Sequence, residues 1–285
     1  MAVVGLGAIV GPAAEMGRGV GAFNLIGIEH AEAIVAGAEQ AGAPVVLQIS
    51  ENCVAYHGAL RPIGAAVLAV AAAASVPVAV HLDHATSQEL VEEAAGLGFG
   101  SAMYDASTLP YRENVRATAD VAAWCHERGM WLEAEIGEIG GKDGVHAPGA
   151  RTEPGEAAGY AAQTGVDALA VAVGSSHAML TRDARLDLEL VARIHAAVDV
   201  PLVLHGSSGV PDDQLAAAVR AGLTKINIAT QLNKMFTAAI RAYLAAHGEA
   251  VDPRRYTAAG RDAVAREVAR LLTVIGAGAR SLDLP

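Results

Sequence analysis

The chain has 285 residues, 53% hydrophobic but only 4% aromatic, so Ala, Val, Leu and Ile must fill its core and extensive disorder is excluded. A formal charge of −11 disfavours nucleic acid and anionic membranes as partners, although backbone amides and a few basic side chains can still hold a phosphate locally. The two cysteines, Cys53 and Cys125, provide neither a disulfide framework nor a thiolate zinc site.

The N-terminal stretch 1–19 is apolar but lacks the basic flank of a signal peptide. The apolar run 63–80 approaches membrane-spanning length, yet it is mostly Ala, and Ser75 and Pro77 split it into a helix and a following strand. The expectation is a cytoplasmic protein without a membrane partner. Short Val/Ile-rich runs predict strands at 20–23, 44–49, 77–82, 101–104, 131–136, 168–173, 201–204 and 225–228. Stretches of helical period lie between them, at 29–41, 87–96, 115–128, 156–164, 186–197 and 211–221. Strand and helix alternate eight times, which predicts a parallel sheet with right-handed crossovers, closed as a (β/α)8 TIM barrel. No compositional break suggests a second domain, so residues 1–285 are expected to form a single barrel domain. Extra C-terminal helices follow Leu232, with 251–256 (VDPRRY) as a turn.

Barrel enzymes carry their chemistry at the carboxyl ends of the strands. In order, those exits hold Asn24, Ser50, Asp83 with His84, Asp105, Glu135, Ser176 with His177, His205, and Asn227 with Thr230. Successive strand residues face opposite ways, so Asp83 and His84 can share a site only if the strand ends there and the backbone turns. Thr86 and Glu89 have capping-box spacing, which makes Thr86 the expected N-cap and leaves Asp83 free. His81 reads as a core or supporting histidine. Only the barrel brings His84, His177 and His205 onto one rim, where three imidazoles with an open fourth position form a catalytic zinc site. His30, His126, His195 and His247 lie in helical segments and read as surface or packing residues, while His57 and His146 fall in loops. The Gly/Ser loop 205–209 runs through Pro211 into a helix, and 225–230 leads into another. Exposed amides at both places predict a phosphate cradle, since the loops after strands seven and eight are the usual phosphate site of this fold. The long Gly-rich loop 137–152 is expected to act as a lid.

Nearly end to end, the chain resembles the class II, metal-dependent ketose-bisphosphate aldolases. The resemblance rests on GAFNLIGIEHAEAI, HLDHATS, SAMYDAS, EAEIGEIGG, SSH, LHGSSGV, KINIAT and VIGAGAR together. It implies zinc ligands at His84, His177 and His205, a catalytic acid/base at Asp83, and a second or alternate metal position at Asp105 and Glu135. It further implies a dihydroxyacetone-phosphate site from Gly206, Ser207 and Ser208 and from Asn227, Ile228, Ala229 and Thr230. Asn24 and Ser50 are expected nearby, and Arg280 on the distal phosphate. The implied cofactor is one catalytic Zn2+, with a further divalent or monovalent ion as an option, and a homodimer or homotetramer is expected. Asp83 would remove the C4 hydroxyl proton, the C3–C4 bond would break, and zinc would stabilise the enediolate of dihydroxyacetone phosphate. Fructose 1,6-bisphosphate is the favoured substrate, with tagatose bisphosphate or another phosphorylated ketose or deoxy-ketogluconate as alternatives.

Two positions depart from the family's usual pattern. Ala178 stands where relatives carry Gly after the second zinc histidine, and Asp143 stands in the loop where they carry a proton-exchanging Glu. A non-catalytic metal-binding barrel is therefore a second class of reading. A Schiff-base aldolase needs a buried lysine at a strand exit. Of Lys142, Lys225 and Lys234, none lies at the end of the sixth strand, and Lys225 precedes its own exit.

Overall fold

The computed structural model of the chain describes residues 2–136, 151–175 and 181–276. In chain order the elements are α1 (Gly7–Glu15), β1 (Val20–Asn24), α2 (Ile28–Ala41), β2 (Val45–Ser50), α3 (Glu51–His57), α4 (Leu60–Ala72), β3 (Val78–Ala85), α5 (Gln88–Leu97) and β4 (Ser101–Tyr104). They continue with α6 (Tyr111–His126), β5 (Trp131–Glu135), α7 (Pro154–Thr164), β6 (Ala168–Ala170), α8 (Leu188–Ala197) and β7 (Leu202–Leu204). The chain closes with α9 (Asp212–Ala221), β8 (Leu223–Ile228), α10 (Thr230–Ala246) and α11 (Pro253–Val274). The eight strands pair in parallel, each with its sequence neighbour, and β8 returns to β1 with Ala22 opposite Asn227. This is the expected closed barrel, which leaves no sheet edge exposed.

Side-chain alternation divides the barrel into an outer apolar shell and a layered interior. On β8, Ile226 and Ile228 face the helices and join the main hydrophobic core, while Lys225 and Asn227 belong to the interior. The amino-terminal end of the barrel is plugged by α1, where Leu6, Ile9 and Val10 pack on Val20, Ala22, Val46 and Ala79. Toward the carboxyl ends the filling turns polar: Gln48, His81, Ser101, Glu133, Lys225 and Asn227 are all buried.

Four expectations need correction. α1 was not anticipated, because Gly7, Gly11 and Pro12 disguise it, and its helical form rests on burying Ile9, Val10 and Ala13. α3 also appears, started by Ser50, whose hydroxyl accepts from the Cys53 amide. Most of 251–256 is helix rather than turn, since Asp252 caps α11 and Pro253 occupies its first position. The N-cap of α5 is Ser87, bonded to the Leu90 amide, because Thr86 instead donates its amide and hydroxyl to Glu51. No single described helix is long and apolar enough to cross a membrane. α3 and α4 reach that length only together, and they are bent by 112°.

α11 lies against α2 where Gly37 permits close approach. A Cβ there would stand 2.5 Å from the Ala265 carbonyl oxygen and 2.7 Å from the Val268 Cβ. Gly37→Ala must therefore push two helices apart, and a loss of about 1–3 kcal/mol is expected from the overpacking. Thermal unfolding measures it, and an unchanged or raised melting temperature would contradict this packing.

Candidate active site and metal centre

At the carboxyl end of the barrel a cavity of about 1040 Å³ opens, lined in part by Asn24, Asp83, His84, Asp105, Asn227 and the 206–208 loop. Asp83 and His84 reach it together through a backbone irregularity. His84 has φ +54°, and the pairing of β3 with β4 shifts register between Leu82 and Ala85. A bulge of this kind re-aims a side chain that strict alternation would send outward. The left-handed backbone costs about 1–2 kcal/mol in a residue with a Cβ. The strand thus does not end at residue 82 as expected; it bulges and continues to Ala85.

His84, Glu135 and His205 converge, each offering one ligand atom within 4.8 Å of the others. The His84 and His205 ring centres are 4.8 Å apart, and His205 Nδ1 is 3.3 Å from Glu135 Oε2. On its other side the His205 Nε2–H donates to Glu133 Oε1 at 3.0 Å. A carboxylate can only accept, so this bond sets the tautomer and leaves Nδ1 facing the convergence point. Burial alone would lower His205, but its hydrogen bonds to Glu133 and Glu135 lift it to about 10. Burial likewise opposes the charge on His84, and Asp83, 3.1 Å from its Nδ1, raises it above the ordinary imidazole range. Carboxylates that hold protons so firmly on two imidazoles create a place for a cation. Two imidazoles and a carboxylate are a donor set that suits a borderline divalent ion such as zinc.

Asp83 is buried and held from the opposite side. Asn24 Nδ2 donates to its Oδ2 at 2.6 Å, and Gln48 Nε2 donates to Asn24 Oδ1 at 3.0 Å. The chain ends on an acceptor-only carboxylate, so both amide orientations follow from chemistry. Burial would raise Asp83, yet the adjacent His84 holds it well below the usual carboxylate range. It is therefore ionised at neutral pH, as a proton acceptor must be.

The 3-10 turn at Ser207–Gly209 begins from Gly206 in the left-handed region, φ +67°. Gly206, Ser207, Ser208, Ala229 and Thr230 line the cavity. The Ser207 hydroxyl donates to the Leu204 carbonyl, and Ser208 Oγ accepts from the Gln231 amide, capping α10 in place of Ala229. Ile228 directs its side chain into the outer core, so only its backbone can reach the site. Ser50 lines the cavity while capping α3. Next to the 3-10 turn and the start of α10, Gln231 donates to Glu267, Arg270 pairs with Glu267 and Asp212, and Arg182 grips Asp212 and the Val210 carbonyl.

Asp105 also lines the cavity, but it stands outside the converging donor group and accepts from the Ser107 amide. His177, with Ser176 and Ala178, lies outside the described residues, as do Asp143, Arg280 and the 137–150 part of the expected lid. Sequence reasoning missed the buried layer beneath the rim. Glu133 precedes Glu135 by two residues, and Lys225 precedes Asn227 by two, so strand alternation alone would have faced all four inward.

The sequence model of a family described as fructose-bisphosphate aldolase class-II matches residues 4–280. A protein named fructose-bisphosphate aldolase from Geobacillus stearothermophilus is 37% identical over 266 residues, 92% of this chain and 93% of the relative. Among solved structures, the YdjI aldolase from Escherichia coli K12 superposes with a TM-score of 0.86 at 29% identity, covering 96% of this chain and 98% of that one. A fructose-bisphosphate aldolase from Campylobacter jejuni gives 0.80 at 20% identity, over 96% of each chain, a likeness that bears on the fold alone.

Two outcomes test the donor set. His205→Ala is expected to lose tightly bound zinc on dialysis, and a full equivalent by elemental analysis would remove His205 from the set. Zinc uptake by the parent protein at neutral pH should release protons, because His205 is lifted to about 10 and must give one up to bind. Calorimetry in buffers of different ionisation enthalpy reads that release, and uptake without it contradicts the arrangement.

Proposed function

Because the chain belongs to the class-II fructose-bisphosphate aldolase family, we propose that its cavity binds fructose 1,6-bisphosphate and cleaves the C3–C4 bond reversibly, using zinc held by His84, His205 and His177 with Glu135 alongside. The protein is a carbon–carbon lyase. The observation that carries the reading is Asp83: an ionised carboxylate held by Asn24 and His84 beside a metal donor set, in the cavity that residues 206–208 and 229–230 also line. The names of the relatives favour fructose bisphosphate over tagatose bisphosphate or a deoxy-ketogluconate phosphate.

The cradle at 206–208 and 229–230 holds the phosphate of the dihydroxyacetone half through main-chain N–H groups and the start of α10. Asp83 then accepts the proton of the C4 hydroxyl. As O4 becomes a carbonyl, the C3–C4 electron pair forms a C2–C3 double bond while the C2=O2 π pair moves onto O2, and an aldehyde, glyceraldehyde 3-phosphate, leaves. When bound, the divalent ion supplies Lewis-acid stabilisation for the negative charge that develops on the substrate oxygens. Asn24 keeps Asp83 aimed, His84 keeps it ionised, and Gln48 keeps Asn24 from flipping. A proton returned to C3 completes dihydroxyacetone phosphate; Asp143 is the proposed carrier.

Asp83→Ala should retain its zinc yet lose at least about 100-fold in cleavage rate, the usual scale for a general acid/base. A coupled assay for triose-phosphate release measures it. A near-parental rate removes Asp83 from the chemistry, and a parent protein inactive on fructose bisphosphate contradicts the substrate.

A further inference from the structure

A fully buried lysine lies beneath the rim with no part in the steps above. Lys225 Nζ is 2.8 Å from Glu133 Oε2 and donates to Asn227 Oδ1 at 2.9 Å. Both Lys225 and Glu133 have fully buried side chains. Glu133 uses its other oxygen to accept from His205 Nε2. One ammonium therefore touches two branches, one running to a metal-site histidine and the other to an amide at the cavity floor.

The direction of each branch follows from donor chemistry. An ammonium has three donors and no acceptor, so the Asn227 oxygen, not its nitrogen, must face it. Asn227 Nδ2 is then turned the other way. It is buried and makes no hydrogen bond among the described residues, while Asn227 itself lines the substrate cavity. A buried N–H without an acceptor costs free energy unless a ligand supplies one.

We propose that Lys225 is a positioning residue of the aldol cleavage: it locks Asn227 with its amide nitrogen toward the substrate oxygens and, through Glu133, keeps His205 Nδ1 toward the metal site. The inference rests on the proposed function, since it needs a substrate oxygen at Asn227. A preset donor is worth most where charge develops in the transition state, so its loss acts on kcat more than on KM. A purely structural lysine, there only to neutralise Glu133, would govern stability and leave that ratio alone.

Lys225→Met alone strands a buried carboxylate, so the informative protein is Lys225→Met/Glu133→Gln, in which the new side-chain amide oxygen can still accept from His205. Loaded with zinc, it is expected to keep one equivalent of metal and to lose about 100-fold in kcat for fructose 1,6-bisphosphate with KM little changed. In an Asn227→Ala background the same pair of changes should cost almost nothing further, because His205 keeps its acceptor and the other residue Lys225 acts through is gone. A kcat within about threefold of the parent, or an equal loss in both backgrounds, overturns the inference. Should the pair variant unfold, Lys225→Arg, which keeps a cation on Glu133 but moves its donors, is measured against the same outcomes. Asn227→Ala that cleaves at the parental rate, or a parent that does not cleave at all, instead contradicts the reading of the site and takes this inference with it. A parent that cleaves normally while the Lys225 variants match it contradicts the inference alone.

Discussion

A carboxylate placed inside a barrel is expensive unless everything around it answers its charge, and Glu133 is such a group. Its side chain is completely buried, yet Lys225, with help from His205, draws it down to about 2. His81 stands beside it, its Nδ1 bonded to Ser101, and burial together with Lys225 pushes that imidazole down to about 3. The interior therefore carries an ionised glutamate, an ammonium and a neutral imidazole, and β3, β4, β5, β7 and β8 are tied through one centre. Breaking such a buried pair by removing one partner typically costs about 3–5 kcal/mol. The same centre orients His205 and Asn227, so stability of the interior and aim of the rim are one arrangement.

Above that centre the rim accepts local strain for function. A left-handed His84 would be relieved by straightening β3, but the ring would then leave the cavity. Asn24 and Gln48 serve Asp83 from β1 and β2, and Ser208 spends its hydroxyl capping α10. The 206–208 loop and the start of α10 depend on distant packing as well. Glu267 and Arg270, which brace them through Gln231 and Asp212, sit on α11, whose approach to α2 depends on a glycine without a Cβ.

Much of this was legible in the chain. Short apolar runs between turn residues located all eight strands, and β4 was read to the residue although it holds neither Val nor Ile. The polar residues at strand exits marked the rim, and Asp83, His84 and His205 do gather there. What stayed hidden depended on three-dimensional context. α1 has poor helix formers and exists because it plugs a barrel. The bulge at His84 has no glycine to announce it. Thr86 has the look of a helix cap, but Glu51, far away in sequence, claims it. The pairing of Lys225 with Glu133 joins β5 to β8, a contact that linear spacing does not encode.

The account stands or falls on whether His84, His205 and Glu135 surround a single cation in front of Asp83. Anomalous diffraction at the zinc absorption edge, from crystals grown with zinc and dihydroxyacetone phosphate, asks this directly. One strong peak within bonding distance of both imidazole rings, with the triose phosphate on the 206–208 and 229–230 amides, is the predicted result. A metal seated elsewhere, or a site that stays empty at saturating zinc, would contradict it.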